Sequence, residues 1–475
     1  MTIEFELTET DIAAATAIAL RDVDAEIHLP GDPGYDAARM PWNVAADLRP
    51  AAVAYPSTAR EVSHIVAAAR EDGLRIAPQS TGHNAHPLAH QRLDDTVIVK
   101  TSKMTGVSIN PETRTARVEG GAVWLPVVEA AAAHGLAALH GSSPDVGVAG
   151  YSLGGGIFMY ARQLGMATNS LTAVELVLAD GSHVRADRTQ NAELFWALRG
   201  GGGSFGVVTA LEFRLYPIET AYAGMLVWDQ RDAEKVLRRW ADWAPGAPDE
   251  ITTSFRLLNL PPIPDIPEPF RGRRLAVIDG AVLGSDERGA ELVAGLRELR
   301  PELDTFGRVS APALARLHMD PEGPTPSAGE SSLLAAMPDA AVDALLAEVG
   351  PDTTTSLLAT ELRQLGGQLS RPHPNGGALD RIEGDFLLFG VGMALSPEMG
   401  AQVAADARRL NAVLAPWANG STYLNFAETV VDAKTGYAAE SWNRLRAIRS
   451  VVDPDGVFQA NHVVPRLYED GRPTA

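Results

Sequence analysis

The stretch from Ser142 to Gly156, reading Ser-Ser-Pro-Asp-Val-Gly-Val-Ala-Gly-Tyr-Ser-Leu-Gly-Gly-Gly, constrains this chain more than any other. Glycines at that spacing let main-chain N–H groups converge on an anion with no side chain in the way. The loop Gln79-Ser80-Thr81-Gly82-His83-Asn84 is built on the same plan, and two such loops point to one large phosphorylated cofactor. A nicotinamide-binding Rossmann fingerprint is a poor fit, because it needs a strand and then Gly-x-Gly-x-x-Gly opening a helix. Here Gly147-Val148-Ala149-Gly150 follows Pro144, and Gly154-Gly155-Gly156 comes too late for that register.

With 475 residues the chain is long enough for two or three domains and for burying a sizeable cofactor. Its net charge of −20 repels nucleic acid and anionic membrane surfaces alike. The absence of cysteine excludes disulfides, thiolate metal sites and cysteine nucleophiles together. Met1-Thr2-Ile3-Glu4-Phe5-Glu6 lacks the basic segment and apolar run of a secretion signal, and no stretch has the apolar length of a membrane span. A cytoplasmic enzyme acting on a small molecule is the expectation.

Residues up to about Leu48 form a loosely patterned lead-in. Thr58 with Glu61 predicts the start of a helix carrying Val62, Ile65, Val66 and Ala69 and ending at Gly73. Strands are expected at Leu74 to Ala77 and Val97 to Val99, and a hairpin brings Val107 and Ile109 against Ala116 and Val118. A helix over Leu125 to His134 leads into the glycine cluster. Asp180-Gly181 marks a second hairpin, and Gly200-Gly201-Gly202-Gly203 a third glycine-rich loop before a strand over Thr209 to Leu215. Past Pro217, strands near Gly224 to Trp228, Leu275 to Val282, Ser356 to Leu362 and Phe386 to Ala394 alternate with helices over Ala233 to Trp243, Asp339 to Val349 and Pro397 to Ala415. Pro261 to Pro269 reads as a connecting loop, and a last helix spans Glu440 to Val451.

Five groups of segments, in order, carry a family resemblance: Gln79 to His83; Ala116 to Ala122; Pro144 to Gly156; Glu193 to Gly200 with Gly203 to Thr209; and a tail with Tyr423-Leu424-Asn425-Phe426, Asn443-Arg444-Leu445, Asp453-Pro454, Phe458 and Asn461. Together they resemble the FAD-linked oxidases of the vanillyl-alcohol-oxidase superfamily, in the berberine-bridge-enzyme-like branch that also contains 6-hydroxy-D-nicotine oxidase. The resemblance implies a two-domain α+β fold. A PCMH-type FAD-binding domain would cover 1–217 with its core from about 47. A substrate-binding domain of antiparallel sheet covered by helices would follow over 218–420, and a C-terminal segment over 421–475 would complete the FAD domain.

It also implies FAD held by Gln79, Ser80, Thr81, Gly82, His83 and Asn84, and by Ser143, Val146, Gly147, Gly150, Gly154 and Gly155. Val207 and Val208 would supply backbone contacts to the adenine and Asn461 would lie near the isoalloxazine, with no metal. His83 stands where the family's histidine is bonded to the flavin 8α carbon, a bond that needs a neutral imidazole nitrogen. Ser143 stands where many members place a second covalent link through cysteine. Serine cannot form that thioether, which leaves attachment through His83 alone or tight noncovalent binding.

In several relatives the base is the tyrosine ending Tyr-x-Asn-Tyr, and this chain has Phe426 there. The candidates that remain are Tyr423, Tyr151, Tyr160 and Glu361, the last sharing a substrate-facing strand with Arg363 and Gln364; Asp385 is a further one. The expected reaction is two-electron oxidation of a small alcohol, amine or phenolic secondary metabolite, with O2 reoxidising the flavin. A dehydrogenase using another acceptor, or a flavin-holding scaffold guiding a non-redox cyclisation, are the alternatives.

Overall fold

The Thr58 hydroxyl accepts the Glu61 N–H at 3.2 Å while the Glu61 carboxylate takes the Ser57 N–H at 2.7 Å, so the helix Ala59–Glu71 starts where the Thr-x-x-Glu spacing predicts. In this computed structural model, which describes residues 18–469 and 472–473, that helix buries Val62, Ile65, Val66 and Ala69 against a four-stranded sheet. Met1 to Glu6, the stretch compared with a secretion signal, lies outside the described residues.

The strands of that sheet are ordered Glu26–His28, Ala52–Tyr55, Thr96–Lys100, Arg75–Gln79, and the last two neighbour pairs are parallel. Its free side, along Arg75–Gln79, is taken by the far end of the chain. The Ile76 N–H donates to the Val457 carbonyl at 2.7 Å, and the Gln459 N–H to the Ile76 carbonyl at 2.8 Å. The buried Gln459 side chain then accepts from Thr96 Oγ1 at 2.8 Å and donates to Gln91 Oε1 at 2.9 Å. This pairing covers an open sheet edge and carries Asn461 and His462 to the loop that leaves the carboxyl end of Arg75–Gln79.

A five-stranded antiparallel sheet follows, ordered Val107–Asn110, Thr115–Glu119, Val207–Arg214, Leu171–Val177, His183–Asp187. Val107 faces Val118 and Ile109 faces Ala116, the register expected of that hairpin. The helices Trp124–Ala132, Val148–Leu153 and Ala192–Leu198 share its core through Trp124, Val127, Val148, Leu153 and Phe195. The middle of the glycine cluster is therefore helical rather than loop.

Just past Pro217, Thr220–Asp229 opens an eight-stranded antiparallel sheet. Its main path runs Leu303–Asp304, Thr220–Asp229, Arg274–Val282, Ile251–Asn259, Ala359–Gln364, Phe386–Met393, Ser327–Leu334, with Gly307–Ser310 also on Thr220–Asp229. One face packs Trp228, Phe255, Ile278, Leu362 and Phe386 against the helices Ala233–Trp243, Asp286–Arg297, Asp339–Val349 and Pro397–Leu414. Trp228 and Trp240 are both 0 % exposed, and burying an aromatic or large aliphatic side chain of this kind stabilises a fold by about 1.5–3 kcal/mol.

Four strands of this sheet and one helix lie where the sequence reading placed no element: the strands Ile251–Asn259, Leu303–Asp304, Gly307–Ser310 and Ser327–Leu334 and the helix Asp286–Arg297. The lead-in before Leu48 likewise holds the strand Glu26–His28.

The two halves are locked by Arg162, just past the glycine cluster and 2 % exposed. Its guanidinium donates to the carbonyls of Leu365, Pro248 and Ala247 at 2.8 Å and of Ile251 at 2.5 Å. Arg162→Met keeps much of the volume and removes all four bonds, leaving the Pro248 carbonyl only its 3.3 Å bond from the Ile251 N–H. We expect it to lower stability by about 3 kcal/mol or more, read as a shifted urea midpoint; an unchanged midpoint would show that the lock is not needed.

Candidate active site

Between the halves lies a cavity of about 360 Å³. Its walls come from segments far apart in sequence: Pro78–Ala85, the glycine cluster, Gly200–Gly203, Tyr423–Phe426 with Glu428, and Gln459–His462, with Arg363 and Phe389 from the eight-stranded sheet. The two glycine loops touch directly. A β-carbon on Gly147 would stand 2.4 Å from Ser80 Oγ, and one on Gly154 would stand 1.9 Å from Asn425 Oδ1. Gly150 and Gly202 also line the cavity, and apart from their own neighbours in the chain no atom lies within 4 Å of where their β-carbons would be, so bare backbone faces open space there.

The wall is short of partners. Gln79 Oε1, Ser80 Oγ, His83 Nε2, Asn84 Oδ1, Tyr151 OH and Glu428 Oε2 are buried with no hydrogen-bond partner in the protein, and all six residues line the cavity. Each such atom costs about 1–3 kcal/mol unless a ligand pairs it, so the site is made for a large polar ligand. These residues and the bare glycines fit the flavin dinucleotide expected from the sequence.

Of the expected cofactor contacts, Gln79, Ser80, Thr81, Gly82, His83, Asn84, Val146, Gly147, Gly150, Gly154, Val208 and Asn461 line this cavity. Ser143, Gly155 and Val207 do not. Val207 faces the core beneath the four-stranded sheet, because strand alternation sends it to the side opposite Val208. Gly155 is turned toward Tyr423, whose hydroxyl would sit 2.9 Å from an added β-carbon. Ser143 is turned away to donate to Asp145 Oδ1 at 2.8 Å.

Asp145 is the hub of that corner. It also accepts from Trp42 Nε1 and from the Gly323 N–H, both at 2.7 Å, and its Oδ1 lies 3.5 Å from His83 Nε2. Burial opposes its charge, but these donors prevail and hold the carboxyl well below its usual range. His83 is stacked on Trp42 at 3.9 Å between ring centres, and its Nδ1 lies 2.7 Å from Thr81 Oγ1. The imidazole is thus fixed in plane and rotation.

The base candidates separate. Tyr423 and Tyr151 line the cavity; Tyr160 and Glu361 do not. The Tyr160 ring lies edge-on to His140 at 5.8 Å. Tyr423 already accepts the Gly156 N–H at 2.7 Å and Asn425 Nδ2 at 3.4 Å. Burial pushes both cavity tyrosines above the ordinary phenol range, which suits donors. Gln364 faces the helix-covered side, bonding the Thr253 N–H at 3.0 Å and the Ala244 carbonyl at 2.5 Å. Asp385 is outside the wall as well.

Glu361 belongs to a buried chain of charges on the sheet face away from the helices. It binds Arg363 Nε at 2.7 Å and His318 Nε2 at 3.1 Å, and His318 Nδ1 reaches Asp279 Oδ2 at 2.9 Å. Asp279 also pairs with Arg256 and Ser254. Burial and Arg256 push His318 down, but Asp279, Glu361 and Asp320 outweigh them and raise it to about 9. Burial raises Glu361, yet Arg363 and His318 bring it down to about 2. Both are charged and engaged.

The sequence reading missed Glu428. It sits two residues past Phe426, in the position of an ordinary tail acid, but the fold sets it half-buried in the cavity wall with Oε2 enclosed, and burial raises its carboxyl to about 7.

Residues 50–187 match the FAD binding domain family. The chain is 27 % identical over 457 residues to the uncharacterized FAD-linked oxidoreductase YvdP of Bacillus subtilis, covering 92 % of this chain and 96 % of that one. It is 34 % identical over 220 residues to a xylooligosaccharide oxidase of Thermothelomyces thermophilus and 33 % over 207 to the (R)-6-hydroxynicotine oxidase of Paenarthrobacter nicotinovorans. Those two matches span 44 % and 43 % of this chain and 44 % and 45 % of the oxidases, so the chain aligns with less than half the length of each. Among solved structures, BBE-like 1 of Physcomitrella patens superposes with a TM-score of 0.81 at 21 % identity, over 96 % of this chain and 100 % of that one, and shares the fold.

A carboxyl raised from 4.5 to about 7 holds a proton in the native state that the unfolded chain has already released. Native stability therefore falls as pH rises from about 4.5 through 7. Glu428→Gln removes that loss, so its melting temperature should gain on the native protein's across that window and hold the gain above it. A difference independent of pH would show that Glu428 titrates normally.

Proposed function

Because the chain belongs to the FAD-linked oxidoreductases of the berberine-bridge-enzyme-like family, with a PCMH-type FAD-binding domain and FAD as its cofactor, we propose that the cavity is the active site of an oxidase taking two electrons from a small alcohol, amine or phenol. Bound FAD supplies the electron acceptor and O2 reoxidises it. The observation that carries the reading is the wall itself: six unpartnered polar atoms and two bare glycines around one cavity. The names of two relatives, a xylooligosaccharide oxidase and an (R)-6-hydroxynicotine oxidase, support oxidation as the reaction class.

In this reading Gln79, Ser80 and Asn84 pair their free oxygens with polar groups of the cofactor, and Gly150 and Gly202 let it lie on backbone. His83 is the single covalent anchor. Its support is the buried Nε2, which lies 3.5 Å from Asp145 Oδ1, the fixing of the ring by Trp42 and Thr81, and the engagement of Ser143 with Asp145 in a chain without cysteine. Glu428 is the wall's carboxyl able to take or release a proton near neutrality, and Tyr151 OH is a free donor in the same wall.

Acid precipitation should leave yellow colour in the pellet of the native protein and release it to the supernatant in His83→Ala. Colour released from the native protein would end the covalent claim. Anaerobic addition of a turnover-competent alcohol or amine should bleach the flavin, and air should restore the colour within seconds. A flavin that no substrate of these classes bleaches would overturn the redox reading, and slow return of colour in air would make the protein a dehydrogenase.

A further inference from the structure

Arg363 is the one permanently charged cation in the cavity wall among the described residues, and its surroundings leave part of it unused. Its Nε donates to Glu361 Oε1 at 2.7 Å and one Nη2 hydrogen reaches Ser142 Oγ at 3.3 Å. Its Nη1 has no acceptor in the protein among the described residues. The guanidinium lies over the ring of Phe426 at 4.7 Å and over that of Phe158 at 5.6 Å, contacts that hold the plane of the fork without consuming its donors.

The charges behind it cancel among themselves. His318 and Arg256 are two cations and Glu361 and Asp279 two carboxylates, all four buried on one face of the sheet, and Arg363 stands at their cavity end with its side chain 11 % exposed. Strand register explains the grouping: Ser254 pairs with both Asp279 and Arg363, and Arg256 pairs with Glu361, so period-two alternation puts them on the same side. The next carboxylate, Asp320, is reached through the Ser142 hydroxyl, which donates to it at 2.6 Å. The end of the chain that lines the cavity is Arg363, so an anion entering there meets an unused Nη1 donor on a guanidinium already held in place by Glu361 and Ser142.

We propose that the substrate carries a carboxylate, taken by the free edge of Arg363, and that this residue sets the enzyme's preference for acidic over neutral substrates. A carboxylate matches the guanidinium fork, since two parallel N–H···O bonds add geometric selection to charge. Phe389 and Phe426, edge-on at 5.3 Å, lie in the same wall and offer apolar surface to the body of such a molecule. The inference rests on the reading of this cavity as the substrate site of an FAD enzyme.

The test uses the FAD-loaded protein and two matched pairs, benzoate with benzamide and hexanoate with hexanamide, titrated by flavin difference absorbance and by calorimetry. We expect the carboxylate of at least one pair to bind tenfold or more tightly than its amide, Arg363→Gln to erase that preference, and Arg363→Lys to keep part of it. Equal binding within both pairs, or a preference that survives Arg363→Gln, would overturn the proposal. Should Arg363→Gln fail to fold, the native protein and the lysine variant still decide. A protein that holds FAD yet shows no carboxylate preference sinks this inference alone; one that binds no FAD sinks the reading beneath it.

Discussion

Backbone has to come within contact distance of other chain segments around this cavity, and at the tightest points a single β-carbon would prevent it. Gly154 is the sharpest case, since its side of the helix is occupied by the Asn425 amide, 1.9 Å from where a β-carbon would stand. That amide donates to the Tyr151 carbonyl at 2.9 Å and so clamps the segment 423–428 onto the end of the glycine cluster. Everything that segment brings, Tyr423, Phe426 and Glu428, depends on the clamp. Gly147 does the same toward Ser80, and with it toward the loop holding His83. The glycines serve ligand and protein together: some make room for a cofactor, while others make room for the walls that face it.

The second constraint is electrostatic. The eight-stranded sheet is covered on both faces, so its polar residues have no water to turn to. On the helix-covered face Thr253 and Gln364 satisfy each other together with Trp240. On the opposite face Asp279, Arg256, His318, Glu361 and Arg363 form one chain, in which each carboxylate is shared between two cations. Such a chain keeps its members charged: Glu361 well below its usual range, His318 well above. This is why Glu361 makes a poor base despite standing next to the site, whereas Glu428, with no cation against it, remains able to hold a proton.

Elements whose burial follows a period were legible in the sequence. The helix Ala59–Glu71 showed its cap and its apolar stripe, and Asp339–Val349 its boundaries. Ile251–Asn259 was not legible because eight of its nine residues are buried, on two faces, and the run Ile-Thr-Thr-Ser-Phe-Arg-Leu-Leu-Asn shows no alternation. The cofactor side of the site could be read because its glycine loops are contiguous. The substrate side was legible only in part: resemblance put Arg363 on a substrate-facing strand, but its partners Phe158, Ser142 and Phe426 are none of them near it in sequence. Glu428 carries no mark in the sequence, and the segment clamped at Asn425 brings it into the cavity wall.

Ser143 shows how a missing covalent link is replaced by a different arrangement. Its hydroxyl donates to Asp145 Oδ1, the same oxygen that lies 3.5 Å from His83 Nε2, while Oδ2 takes Trp42 and the Gly323 N–H. A thiol there would be a weak donor, leaving Asp145 less satisfied and freer to turn from His83. Trp42 is held by the same carboxylate and forms the surface on which the imidazole stacks. The serine thus acts on His83 through Asp145 and Trp42, and the residue that rules out one covalent bond helps fix the orientation of the side chain proposed to make the other.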